Sequence, residues 1–323
     1  MFGRTLMTLG LAMLLAAPAH AGFGLVLPDS PIVDDPEKTS LNLVICAIDP
    51  ATGAGIPIER PQVFTALRYS GDNMDRSEHL SVLDEVVAYG ARAWTTNISL
   101  PHPGVYQLVM QTKAGWVPEQ DKFVQYVTKV QIPAYGSAEG WDKPANISFE
   151  ISPLSRPFGL CSGMAFSGQA LFDGTPIPGA LIDVARLDPA IKPNVAQPED
   201  PNAPPQDDKA QPKAKKQDKQ PTPQPISAFG ATQQVKADSQ GVFTFVCPLP
   251  GWWAFSTSMA GDPLQDPEGK QKPLEIKTIF WVYMNDCPKR LQARNKPCAM
   301  PRFTCSIGRH GLAASISTTI YAR

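Results

Sequence analysis

Phe166–Leu187 reads FSGQALFDGTPIPGALIDVARL, Val235–Met259 reads VKADSQGVFTFVCPLPGWWAFSTSM, and Thr278–Met284 reads TIFWVYM. Asp173-Gly174, Pro178-Gly179 and Gln240-Gly241 punctuate these runs. Short apolar or alternating runs separated by such turn residues are the pattern of a small antiparallel sandwich. Strands are predicted at Ala165–Phe172, Ala180–Leu187, Gln233–Ala237, Gly241–Val246, Gly251–Met259 and Glu275–Met284, with a tight turn at Asp238–Gly241. Trp252 and Trp253 are neighbours in one such strand, so their side chains point to opposite faces. One fills the core and the other covers an edge or a domain contact, which argues against an aromatic binding platform.

Upstream, the same pattern recurs. Leu41–Ile48, Val63–Tyr69, Ala91–Ile98, Gly104–Gln111, Phe123–Ile132 and Asn146–Ile151 read as strands. Residues 77–88, SEHLSVLDEVVA, fit either a short helix or another strand. Pro153–Pro157 reads as a linker. The expected organisation is therefore a signal peptide at 1–21, a first β-sandwich at 22–153, a second at 158–286, and a Cys-bearing extension at 287–323. Leu312–Tyr321 has the pattern of an added strand. The fold class is all-β, with two immunoglobulin-like or transthyretin-like sandwiches in tandem. Residues 188–225 are rich in Pro, Lys, Gln and Asp and nearly lack large apolar side chains. Such a segment cannot bury enough surface to offset its ordering entropy, so it reads as a disordered loop insertion.

The chain has 323 residues, enough for two ordinary domains, and a formal net charge of -1. That balance gives no argument for nucleic acid or an anionic membrane surface. Arg4 precedes the apolar run Leu6–Ala17, and Ala19-His20-Ala21 is a cleavage box. The run is short for a membrane span, and no later stretch reaches the roughly 20 apolar residues that a spanning helix needs. Export to a periplasm is expected, with no membrane span after cleavage. In that oxidising setting the six cysteines, Cys46, Cys161, Cys247, Cys287, Cys298 and Cys305, are disulfide candidates. Six allow 15 connectivities. Three lie in the extension, so at least one must reach Cys46, Cys161 or Cys247 if all are paired.

No catalytic motif stands out. There is neither a G-x-S-x-G elbow nor an H-E-x-x-H pair, and histidine is scarce. The chain is expected not to be an enzyme. Trp116 is the tryptophan best placed for binding, because it sits in AGWVPEQDKF beside Glu119 and Asp121.

A set of short motifs runs in order along the chain. They are Gly22-Phe23-Gly24 with Val26-Leu27-Pro28, Asp49-Pro50, Glu59-Arg60-Pro61, His102-Pro103-Gly104-Val105-Tyr106, Trp116-Val117-Pro118-Glu119-Gln120-Asp121, Gln125-Tyr126-Val127-Thr128-Lys129, Gly140-Trp141-Asp142 and Arg156-Pro157-Phe158-Gly159-Leu160. Asp173-Gly174-Thr175-Pro176-Ile177-Pro178-Gly179-Ala180 and the Asp238–Phe255 run follow. In this order they resemble the NikK/NikM-like extracytoplasmic proteins associated with bacterial nickel uptake, long grouped as a domain of unknown function. The resemblance implies an accessory of a nickel or cobalt uptake system whose partner is a membrane transporter component. It also implies metal-ligand positions at Gly22, Asp49 and Gln125, where the family carries histidine. Imidazole is a preferred nickel ligand, and these replacements weaken the expected site. If processing follows Ala19, His20 becomes terminal, and its amine and imidazole can chelate a metal together. The expected function is thus an exported, non-catalytic accessory that binds nickel or cobalt or docks on the transporter. The alternative is an interaction module that has lost metal binding.

Overall fold

The computed structural model describes residues 22–49, 52–187, 192–198 and 232–287. In chain order its strands begin with β1 (Phe23–Pro28), β2 (Ser40–Ile48), β3 (Gly55–Ile56), β4 (Val63–Ser70), β5 (Asn73–Glu78), β6 (Asp84–Ala88) and β7 (Ala91–Ser99). There follow β8 (Gly104–Gln111), β9 (Gly115–Val117), β10 (Lys122–Ala134), β11 (Phe149–Pro153), β12 (Leu160–Cys161) and β13 (Ala165–Phe172). The last are β14 (Thr175–Pro176), β15 (Leu181–Leu187), β16 (Gln233–Lys236), β17 (Val242–Val246), β18 (Gly251–Gln265) and β19 (Gln271–Asn285). Two short 3-10 turns, Leu80–Val82 and Pro118–Gln120, interrupt them. The all-β expectation holds. Residues 77–88 resolve as the end of β5, a 3-10 turn and β6.

Three sheets build the sandwich. Sheet A runs β1-β2-β7-β6 with β3 beside β2. Sheet B runs β16-β15-β18-β19-β10-β8-β4-β5, with β9 on β10 and β12 on β19. Sheet C runs β11-β13-β14 with β17 on β13. Sheet B takes strands from both sides of Pro153–Pro157, because β10 and β19 pair in parallel from Phe123↔Leu274 to Val130↔Trp281. Likewise β11, read from the sequence as part of the first sandwich, pairs with β13. The described residues up to Asp286 form one compact unit, and Cys287 begins a second.

The central strands of sheet B have two buried faces, which is why they read as nearly continuous apolar runs. Trp252, Ala254, Ile279 and Trp281 join the core that contains the inner residues of sheet A. Trp253, Phe255, Phe280 and Val282 join the core under sheet C, with Phe166 and Phe243. The tandem tryptophans therefore fill two different cores, and both are buried.

The disulfide expectation is corrected at two positions. Cys46 and Cys247 are free thiols buried in the two cores, and neither is in a disulfide. Each sits on or beside a strand whose inward face is apolar, where cysteine packs as a small hydrophobe. Cys161 and Cys287 are each part of a disulfide. Cys298 and Cys305 lie outside the described residues, as do Leu312–Tyr321 and residues 1–21, the segment read from the sequence as a signal peptide. So does most of the 188–225 insertion. Its residues 192–198 are described, and Ala196 forms an isolated antiparallel bridge with Val87 of β6.

Candidate functional site

A cleft of about 310 Å³ opens between sheets A and B, lined by Ile56, Glu59, Arg92, Trp116, Glu119 and Tyr126 among others. Each wall has a local cause. The short pairing of β9 with β10 places Trp116 opposite Phe123, and their rings meet at a tilt of 52° with centroids 5.0 Å apart. The ammonium of Lys272 lies 5.8 Å over the Trp116 ring and donates to Asp121 at 2.5 Å. Asp121 ends the Pro118–Gln120 turn in the left-handed region, at φ 52. Of the three sequence candidates, Trp116 and Glu119 line the cleft, whereas Asp121 acts by holding Lys272 over the indole.

On the opposite wall, Arg92 is paired with Glu59 and donates its Nε to the Ile58 carbonyl at 3.2 Å. This places the Glu59-Arg60-Pro61 motif at the cleft. Arg60 turns away, its guanidinium bonded to Leu80 O at 2.6 Å and lying over Trp94 at 5.4 Å.

The residue just before β1 packs against two of the lining side chains. A Cβ on Gly22 would lie 2.4 Å from both Ile56 Cδ1 and Tyr126 Oη, two atoms of lining residues. The missing side chain is what lets β1 lie this close to sheet B. The Gly22 carbonyl accepts from Lys277 Nζ at 3.4 Å, and that ammonium lies 5.0 Å from the Phe23 ring. Burial lowers the Lys277 pKa, with the charges of Glu275 and Asp183 opposing that shift. Burial, reinforced by Glu275, pushes the Tyr126 phenol up. Lys277 and Tyr126 are register partners across β10 and β19.

The three positions implied as metal ligands do not assemble. Gly22 offers no side chain and no room for one. Asp49 lies at the same end of sheet A, since Phe23 pairs with Ile48. Its carboxylate accepts from Thr52 Oγ1 at 3.0 Å, and its backbone closes the turn to Gly53 and Ala54. Gln125 donates its side-chain amide to Thr112 O at 3.0 Å. The pleat sends Gln125 and Tyr126 to opposite faces of sheet B, so Gln125 turns away from the face that Gly22 meets. Among the described residues no group of three or more His, Cys, Asp or Glu side chains could hold a metal ion. His20 lies outside the described residues. No described helix is long and apolar enough to cross a membrane.

Sequence reading missed Lys277, Tyr126, Ile56 and Arg92 as neighbours of the site. A lysine opening the apolar run Thr278–Met284 was the available signal.

These features define an all-β sandwich protein with a charged-rimmed cleft between two sheets. The chain belongs to the DUF4198 family, described as a domain of unknown function, whose model matches residues 17–261. No curated protein matches it. Two solved structures described as marsupial T cell receptors are similar at 9% and 10% identity, covering 80% of this chain. The match covers 73% and 72% of those chains, each with a TM-score of 0.18.

Proposed function

We propose that the protein is an exported, non-catalytic accessory of a nickel or cobalt uptake system, working in the periplasm by docking on the membrane transporter through the Trp116 cleft. The NikK/NikM-like resemblance suggests the system. The observation that carries the docking part is convergence: Glu59, Trp116, Glu119 and Tyr126 come from three separate motifs and line one cleft, and Gly22 of a fourth motif packs against two of its lining residues. Its apolar walls and charged rim suit an anchoring side chain of a protein partner. A bare divalent ion would find no converging set of donors among the described residues.

The commitment of Asp49 and Gln125 to local hydrogen bonds favours the docking role over tight metal binding at those positions. A His20 terminus, if processing creates one, would then be the chain's metal-handling group. Nickel accumulation in cells lacking the protein tests the reading. Complementation with Trp116→Ala or Glu119→Lys should fail while both variants stay folded. Full restoration by both would sink the docking cleft. A calorimetric nickel titration of the mature protein separates the remaining roles. Micromolar binding lost on removing His20 assigns it the cargo, and no heat at millimolar nickel favours a module that has lost metal binding.

A further inference from the structure

Sheet A ends in β6, and one residue of the 188–225 insertion is seated on that edge. Val87 N–H donates to Ala196 O at 2.8 Å, and Ala196 N–H donates to Val87 O at 3.0 Å. The described arm, Lys192–Pro198, places a proline on each side of this bridge, Pro193 and Pro198. Val195, beside the bridge, remains 45% exposed, so the arm gains little from burial.

Alternate residues of an antiparallel edge turn the same way, so the backbone of Glu85 faces outward as that of Val87 does. Antiparallel continuation from Val87↔Ala196 sets Pro198 opposite Glu85, and proline has no N–H to give. In the sequence Pro198 is followed by the acidic pair Glu199-Asp200, and on β6 Asp84 and Glu85 are exposed. The arm thus fills one position of the edge and is chemically unsuited to the next.

Two other edges among the described residues are blunted by charge or irregularity. β5 is exposed along its length and carries Asp75, Arg76 and Glu78. The outer half of β18 carries Pro263 and a register shift between Gly261 and Leu264. β6 carries charge only at its first two positions, Asp84 and Glu85, and its last three residues, Val86–Ala88, are apolar, with Val87 half-buried.

We propose that β6 is a strand-addition site for a basic extended segment of a partner protein, and that residues 192–198 are a weak resident strand which this segment displaces. Such a segment supplies what the arm lacks, an N–H opposite Glu85 and a cation facing Asp84 and Glu85. Main-chain pairing gives the affinity and the charges give the selectivity. The inference is independent of the Trp116 cleft and of nickel.

The test uses a labelled peptide, Lys-Asn-Val-Ala-Gln-Lys-Lys, and fluorescence anisotropy with the full chain. Ala196→Pro removes the N–H of the resident arm and lies outside every strand, so the fold is expected to persist. Freeing the edge should tighten peptide binding by about tenfold, because a competitor that occupies the site lowers apparent affinity by the free fraction. Asp84→Lys with Glu85→Lys should abolish the gain, as should replacing the two terminal lysines of the peptide with glutamates. Melting curves confirm that each variant is folded. Equal affinity for wild type and Ala196→Pro, binding indifferent to the charge changes, or no binding to any form overturns the proposal.

Discussion

Gly24 shows how a missing side chain sets the position of a whole strand. A Cβ there would lie 2.7 Å from Thr128 Oγ1 and 2.8 Å from Tyr126 Cβ, so β1 can lie against sheet B only as glycine. Gly24→Ala should cost about 1–3 kcal/mol, the range for overpacking a close-packed contact, read as a lowered urea midpoint. Lys277 sits one layer away with its ammonium buried and its pKa lowered by that burial. The unfolded chain holds this proton up to the ordinary lysine value of 10.5, whereas the folded chain releases it sooner. Between the two values the unfolded state binds more protons, so stability rises with pH across that window. Wild type should therefore gain stability relative to Lys277→Met as pH climbs toward 10.5, and a flat difference between their urea midpoints would refute the burial account. The buried thiols give a third check at this scale. Burial pushes Cys46 and Cys247 each up to about 12. Thiolate is the reactive form, so both should resist alkylation at pH 8 until the protein is denatured, as peptide mapping by mass spectrometry would show.

At the scale of elements, the sequence was most readable where turn chemistry and alternation agree. The Asp238–Gly241 turn forms as expected, with Asp238 Oδ1 accepting from Gln240 N at 2.8 Å and Val242 N at 2.9 Å. Gly241 has φ +71, and a Cβ there would meet Ala170 O at 2.9 Å and Ile177 N at 3.0 Å. Gly241→Ala should destabilise by about 1–3 kcal/mol through left-handed strain and a backbone clash together, measured by thermal melting. The bounds Ala165–Phe172 match β13 because buried Phe166, Gly168 and Ala170 alternate with the half-exposed Ser167 and Gln169. β1 carries no clear strand signal, since Gly24 inside it and Gly22 just before it lower strand propensity and only the contact with sheet B reveals their purpose. β9 has three residues, too few for a periodic signal, yet it positions Trp116. The candidate site was half legible for the same reason. Trp116 and Glu119 stand out by composition, but Arg92, Tyr126 and Lys277 come from strands whose faces no local pattern distinguishes.

The whole molecule departs most from the sequence reading in how its layers join. Proline-rich residues 153–157 resemble a linker, but the pairing of β10 with β19 bridges segments about 150 residues apart in one sheet, a non-local contact that composition does not encode. The join is also electrostatic. Lys129 of β10 and Glu150 of β11 form an ion pair between sheets B and C, at 2% and 5% side-chain exposure. Glu150 also accepts the Ala145 N–H, and the ammonium lies 5.0 Å from the Phe280 ring. Burial lowers the Lys129 pKa, and Glu150 opposes the shift by charge and hydrogen bond. Two charges removed from water repay their desolvation only through each other, so the pair contributes little net stability while each half is costly alone. Glu150→Gln should therefore destabilise by about 3–5 kcal/mol, the usual cost of leaving a buried charge unpaired. Adding Lys129→Met in the same chain should recover most of that loss, because no ammonium then remains to be solvated. Urea unfolding of wild type, the two single variants and the double variant measures the coupling directly. Additive losses would mean that the two side chains stabilise the interface by packing alone, and that the charges do not hold sheet C onto sheet B.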